Sequence, residues 1–177
     1  ELYAGILLAC NRHHVDVVGG DTTSSLTGLC ISITCIGEGE VGKIAYRSGA
    51  KQNDLICVSG NLGAAYMGLQ LLEREKRLFQ NDKNLEGVQP DFAGKEYIIQ
   101  RQLKPEARGD IIKALADAGI VPTSMMDISD GLSSELFHIC DQSGVGCTIY
   151  EDKIPIDYET AMMAEEFNMN LVTAALN

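Results

Sequence analysis

The stretch Pro122-Thr123-Ser124-Met125-Met126-Asp127-Ile128-Ser129-Asp130-Gly131-Leu132 decides how the rest of the chain is read. Residues 122–126 are largely apolar and predict a short strand, while Leu132, Leu136 and Ile139 recur at helical spacing. An acidic turn therefore joins a strand to a helix, at the strand's carboxyl end, where α/β folds place ligands. Asp127 and Asp130 are near enough in sequence to share one divalent cation or two neighbouring ones, and hard carboxylate oxygens suit Mg2+. Ser129 adds an oxygen for a phosphate or a metal-bound water. The same residues also read as a plain turn in which Ser129 or Asp130 caps the following helix. One cap accounts for one of the three, not for all of them.

Working outward, 177 residues suffice to bury roughly 70% of the unfolded surface, so size demands neither disulfides nor a structural metal. Hydrophobic content of 45% and charged content of 22% are those of a globular chain, and no apolar run approaches a membrane span. Fourteen Lys and Arg against 25 Asp and Glu give a net charge of -11, which repels a nucleic-acid backbone. A phosphorylated small molecule remains compatible if Mg2+ supplies the positive charge. The six cysteines form no C-x-x-C pair and sit among apolar residues, so they read as reduced core thiols in a cytoplasmic protein with no secretory pattern. The three histidines lack zinc-ligand spacing, and His138 reads as a surface residue on the helix after the acidic turn. Because Glu1 falls directly inside a helical pattern and Asn177 follows an apolar stretch, the chain is expected to be a piece of a longer protein.

Residues 2–13 predict an amphipathic helix, and residues 15–18 a short strand running into Gly19-Gly20-Asp21-Thr22-Thr23. Asp21 with its two hydroxyl neighbours is a second candidate contribution to a metal-phosphate site; a simple turn is the alternative. Residues 28–37 alternate as a strand, and the glycine-rich segment 37–42 marks a boundary between residues 1–42 and 43–177. Arg47, in the loop Tyr46-Arg47-Ser48-Gly49-Ala50, is a candidate phosphate clamp because its planar fork suits phosphate oxygens; a solvated surface arginine is the alternative. Residues 55–59 predict a buried strand, turned by Gly60-Asn61-Leu62-Gly63 into a helix whose stripe is Leu62, Ala65, Leu69, Leu72 and Phe79. Residues 80–95 predict a polar loop, 95–103 a helix, Pro105 to Gly119 another, 145–150 a strand and 158–167 a last helix. Alternating strands and helices place the second part in the α/β class.

Taken together, Val18-Gly19-Gly20-Asp21-Thr22-Thr23, Ala45-Tyr46-Arg47-Ser48-Gly49-Ala50 and Met126-Asp127-Ile128-Ser129-Asp130-Gly131-Leu132 resemble the thiamine-monophosphate kinase family, in the superfamily of aminoimidazole ribonucleotide synthetase and selenophosphate synthetase. The resemblance extends over essentially the whole chain, including Arg101-Gln102-Leu103-Lys104-Pro105, and the acidic turn is its discriminating piece. Members are longer, and this chain resembles their middle. The resemblance implies an α/β (α+β two-domain) architecture: residues 1–42 as the tail of an amino-terminal, dimerising sheet domain that binds ATP, and 43–177 as most of a carboxyl-terminal α/β domain. It implies Asp21, Asp127 and Asp130 as Mg2+ ligands, Gly20, Asp21, Arg47 and Ser129 as ATP contacts, and Asp127, Asp130 and Arg47 as the catalytic set. It further implies a cytoplasmic homodimer that transfers the ATP γ-phosphoryl group to thiamine phosphate, giving thiamine diphosphate. A sibling synthetase that activates an amide or carboxyl oxygen predicts a glycine-richer loop in place of the acidic turn. A non-catalytic nucleotide-binding or dimerisation module would bind Mg-ATP without consuming it.

Overall fold

The computed structural model describes residues 1–81, 90 and 92–177 and divides into two compact units, Glu1–Lys43 and Ile44–Asn177. In the first unit, the recurring Leu2, Ile6, Leu7 and Cys10 form α1 (Leu2–His13), which ends at His14 in the left-handed region (φ 54°) with its amide on the Cys10 carbonyl. The Tyr3 and Thr22 hydroxyls hydrogen-bond, fastening α1 to the Gly19–Thr23 segment. No residue of α1 is buried, and Leu29, Ile31, Ile33 and Ile36 are exposed.

The second unit is built on α2 (Ala64–Asn81), α3 (Glu96–Leu103), α4 (Gly109–Asp117), α5 (Leu132–Ser143), α6 (Tyr158–Glu166) and α7 (Leu171–Leu176). The face α2 buries is Ala64, Met67, Gly68 and Leu71, not the expected stripe through Ala65, Leu69 and Leu72; Leu69 is exposed. Gly68 is the reason. A Cβ there would stand 2.5 Å from the Ile98 carbonyl oxygen and 2.9 Å from Gln102 Cβ, so α3 approaches α2 along the one line where no side chain intervenes. Met67, Leu71 and Ile98 are buried with Met163, Ala164 and Ala174, so α2, α3, α6 and α7 share one core. Full burial of a side chain the size of Met67, Leu71 or Ile98 contributes about 1.5–3 kcal/mol. Glu166 binds Arg74 and Lys95 at 2.9 Å each, and Arg74 also lies over the Phe167 ring at 4.8 Å, which pins α6 to α2 and to the residue before α3.

A second, smaller core carries the acidic turn. Leu132 and Leu136 of α5 pack with Leu62 and Ala175, flanked by Val58, Ile154 and Ile156. The Leu62 amide donates to the Pro155 carbonyl, and Asp157 and Asn170 cap α6 and α7 by accepting from the Glu159 and Thr173 amides.

Several expectations are corrected. Among the described residues no strand is formed: residues 15–18, 28–37, 55–59, 122–126 and 145–150 are non-helical but have no ladder. A strand exists only where a neighbour takes its alternate amides and carbonyls. Among the described residues such contacts are isolated, as where the Met125 amide donates to the Tyr46 carbonyl. The α/β layering expected from alternation is therefore seen here only as its helices and the extended sequence between them. For the same reason the cysteines are not core thiols: Cys30, Cys35, Cys57 and Cys147 are exposed, Cys10 and Cys140 half-buried, and all six are free. The helix expected from Pro105 starts only at Gly109, where Arg108 clamps Asp110 through two guanidinium nitrogens at 3.1 and 3.0 Å. Most of the expected 80–95 loop, residues 82–89 and 91, lies outside the described residues. No helix of the described residues is long and apolar enough to cross a membrane.

Candidate active site

Asp127, Ser129 and Asp130 are exposed on the turn before α5. The structure assigns the N-cap of α5 to Gly131, with no side-chain cap hydrogen bond. Neither Ser129 nor Asp130 is spent on capping, and among the described residues the three side chains have no hydrogen-bond or ion-pair partner. A turn that concentrates charge without using it internally is available to an external ligand.

The turn is held from beneath. Gly131 has φ 111°, where L side chains are strained, and a Cβ on it would lie 2.6 Å from the Leu176 carbonyl oxygen and 2.8 Å from Asn177 Cα. Ser133 Oγ donates to the same Leu176 carbonyl at 3.0 Å. Glu135 Oε1 adds a further tie, accepting from the Asp130 amide at 3.3 Å. The carboxyl end of α7 and a buried glutamate thus fix the backbone that carries the three oxygens.

Arg47 is brought to the segment leading into this turn. Ser124 Oγ donates to the Arg47 carbonyl at 2.7 Å, and the Met125 amide donates to the Tyr46 carbonyl at 2.9 Å. Further along, the Gly49 and Ala50 amides both donate to Ser143 Oγ at 3.2 Å, anchoring the loop to the last residue of α5. Asp54 closes the loop by accepting from the Thr123 hydroxyl at 2.6 Å and the Lys51 amide at 2.8 Å. The Thr123 hydroxyl, then the Lys51 amide, hold the Asp54 carboxyl below the usual aspartate range. Arg47 itself is exposed.

Gly20 and Asp21 belong to the first unit, where Asp21 Oδ1 accepts from the Thr22 amide at 2.8 Å. Among the described residues no three His, Cys, Asp or Glu side chains are gathered as a metal cage. Two exposed carboxylates in one turn fit the way Mg2+ is usually bound, by one or two carboxylates with waters and substrate phosphates completing its shell. Two surface hollows of about 540 Å3, one lined by Glu151, Ile154, Ile156 and Leu171, the other by Lys95, Ile98, Tyr158 and Met162, include no residue of the acidic turn. His138 is exposed.

Sequence reasoning missed Glu135 and the bracing of Arg47. The signal for Glu135 was present: it falls on the buried face of α5 beside Leu132 and Leu136, where an unpaired carboxyl is out of place. The bracing by Ser124, Thr123 and Ser143 joins residues 69 to 94 positions apart, which no local pattern encodes.

The chain is 33% identical over 176 residues to the thiamine-monophosphate kinase of Aquifex aeolicus, covering 99% of this chain and 52% of that protein. It is 36% identical to the thiamine-monophosphate kinase of Bacillus subtilis, covering 88% of this chain and 44% of that protein. The chain therefore spans about half the length of the curated relatives it matches. Among solved structures it is similar to AaThiL complexed with AMPPCP and TMP, at 30% identity and TM-score 0.74 over 98% of this chain and 50% of that one. It is also similar to the thiamine monophosphate kinase of Aquifex aeolicus, at 31% identity and TM-score 0.75 over 98% of this chain and 53% of that one. Residues 51–175 match the family described as AIR synthase related protein, C-terminal domain. That match takes in α2 to α7 and the acidic turn, and the chain belongs to the AIR synthase related family.

Proposed function

We propose that the protein carrying this chain is a kinase that transfers the γ-phosphoryl group of ATP to the phosphate of thiamine phosphate, giving thiamine diphosphate and ADP. The observation that carries this reading is the acidic turn itself. Asp127, Ser129 and Asp130 spend none of their side chains on the fold, and Ser124 and Met125 tie the segment before them to the loop of Arg47. The names of the relatives, and the nucleotide analogue and TMP bound by AaThiL, favour a phosphate acceptor over the carboxyl or amide acceptor of a synthetase.

The acceptor is already an anionic oxygen, so no residue is needed to deprotonate it. The barrier lies in bringing two polyanions into line. In the second unit Asp127 and Asp130 would hold Mg2+ and Ser129 would contact ATP; in the first, Asp21 is proposed as a metal ligand and, with Gly20, as an ATP contact. Mg2+ held by these carboxylates would supply positive charge against the transferring phosphoryl group. Arg47, braced through its backbone carbonyl and with its side chain exposed, would offer its donor fork to the phosphate chain. The net charge of -11 accords with a protein that holds phosphate through metal.

The architecture belongs to the same proposal. The non-helical segments 28–37, 55–59, 122–126 and 145–150 are read as strands of an α/β domain (43–177) and of a preceding dimerising domain (to residue 42). Support comes from their alternation and from the TM-scores of 0.74 and 0.75 to solved relatives. The exposed Leu29, Ile31, Ile33 and Ile36 favour pairing with further chain or a second subunit, and the free cysteines favour the cytoplasm.

ADP formation by the complete gene product with Mg-ATP, with and without thiamine phosphate, tests the reading. ADP that depends on thiamine phosphate and equals the thiamine diphosphate formed is the expected result. Nucleotide binding with no turnover on thiamine phosphate refutes it.

A further inference from the structure

Glu135 is 2% exposed, packed on α5 between Leu132 and Leu136. Its Oε1 accepts from the Asp130 amide at 3.3 Å, while its Oε2 is buried with no hydrogen-bond partner among the described residues. A buried carboxyl with one oxygen unsatisfied is a poor device for stability, since an apolar side chain of similar volume would fill the same space without desolvating a polar group. Nor is it an ordinary capping box, in which the third helical residue reaches back to the cap amide. Glu135 is the fourth residue of α5, and it passes over the cap Gly131 to the amide of Asp130.

That amide is a particular one. The peptide plane it belongs to ends at the α-carbons of Ser129 and Asp130, so holding its N–H restrains the stretch of backbone from which both side chains spring. The Leu176 carbonyl packs close against the neighbouring Gly131, where an added Cβ would stand 2.6 Å from it. We infer that Glu135 is a positioning residue for phosphoryl transfer: its side chain aims Ser129 and Asp130 at the metal-phosphate site without touching substrate. This inference rests on the kinase reading, and it assigns Glu135 a role that neither its burial nor its place in the helix requires.

The test uses the complete gene product with Glu135→Leu and Glu135→Gln. For each protein the thermal midpoint, kcat, KM for thiamine phosphate, and Mg2+-dependent binding of AMPPCP by calorimetry are measured. Glu135→Leu keeps volume but removes the acceptor. Its midpoint is expected at or above that of the parent, with kcat and Mg2+-dependent nucleotide binding lowered about 10- to 100-fold, as when an outer-sphere partner of a ligand is removed. KM for thiamine phosphate changes little. Glu135→Gln keeps an acceptor oxygen and restores most of the loss. Parent-like kcat and binding in Glu135→Leu overturn the inference, as does a Glu135→Gln variant as impaired as Glu135→Leu. If the parent binds AMPPCP yet makes no thiamine diphosphate, the kinase reading fails by itself, and the binding loss in Glu135→Leu still decides whether the turn is aimed by this side chain.

Discussion

The Ser124 hydroxyl donates to the carbonyl of Arg47 across 2.7 Å, joining residues 77 positions apart in sequence. The bond is made to the backbone of Arg47, so it steers the base of the arginine and leaves the guanidinium unencumbered. Replacing Ser124 with Ala removes one hydrogen bond, about 1 kcal/mol of stability, and lets the Arg47 loop drift from the segment that precedes the acidic turn. A fall in kcat of several-fold with a thermal midpoint lowered by a few degrees is the expected pair of readings in the complete protein.

Asp127→Asn and Asp130→Asn each retain size and shape in a turn whose side chains bond to nothing else among the described residues. The fold should be indifferent to them, with unchanged thermal midpoints, while turnover falls by orders of magnitude. Near-normal turnover of either variant at saturating Mg2+ would sink the metal-ligand assignment.

Gly68→Ala places a methyl group where the Ile98 carbonyl oxygen is 2.5 Å away. Backbone cannot step aside as a flexible side chain can, so α3 must slide off α2. Overpacking of this kind costs about 1–3 kcal/mol, even though alanine is the better helix former. Denaturant titration of Gly68→Ala beside Leu69→Ala, on the exposed side of the same helix, should show a much larger loss for the glycine site.

The pH dependence of stability should carry the mark of Glu166. Arg74, then Lys95, hold its carboxyl below the usual glutamate range. A depressed folded-state value means that the contribution is complete above the ordinary glutamate range and is lost as pH falls below it, through the lowered value. Since Glu166 is 43% exposed, solvent screening limits the sum to about 1 kcal/mol. Glu166→Gln should therefore be less stable than the parent near neutrality, and the difference should vanish in acid; thermal scans across pH give the comparison.

The longer helices were legible because they announce themselves locally. The apolar periodicity of α5 and the left-handed stop at Gly144 (φ 65°) both lie within a dozen residues. α7 was missed although Asn170 caps it, because six residues are too few for a period to show. The buried face of α2 was misjudged by about a turn's fraction: amphipathicity alone cannot tell Leu69 from Met67, and it is the approach of α3 at Gly68 that decides. Asp127, Ser129 and Asp130 were visible as a cluster, but whether they served the helix or something beyond it depended on the cap, and the cap proved to be Gly131. The strands are a different case. Alternation at 28–37 and the apolar run at 55–59 mark segments that can pair, but pairing depends on a neighbour that local sequence does not name, and among the described residues no ladder is formed.

The backbone pressed against Gly131 also limits how this site can change. A saturation library at position 131, selected for thiamine diphosphate synthesis, should return glycine alone, since every other residue meets both the Leu176 carbonyl and a backbone torsion of 111°. Variation in metal preference or rate must then be sought in the turn's own oxygens and in Glu135 beneath them. For an engineer, this leaves three adjustable positions within the seven-residue motif and a fourth at Glu135, all resting on one immovable glycine.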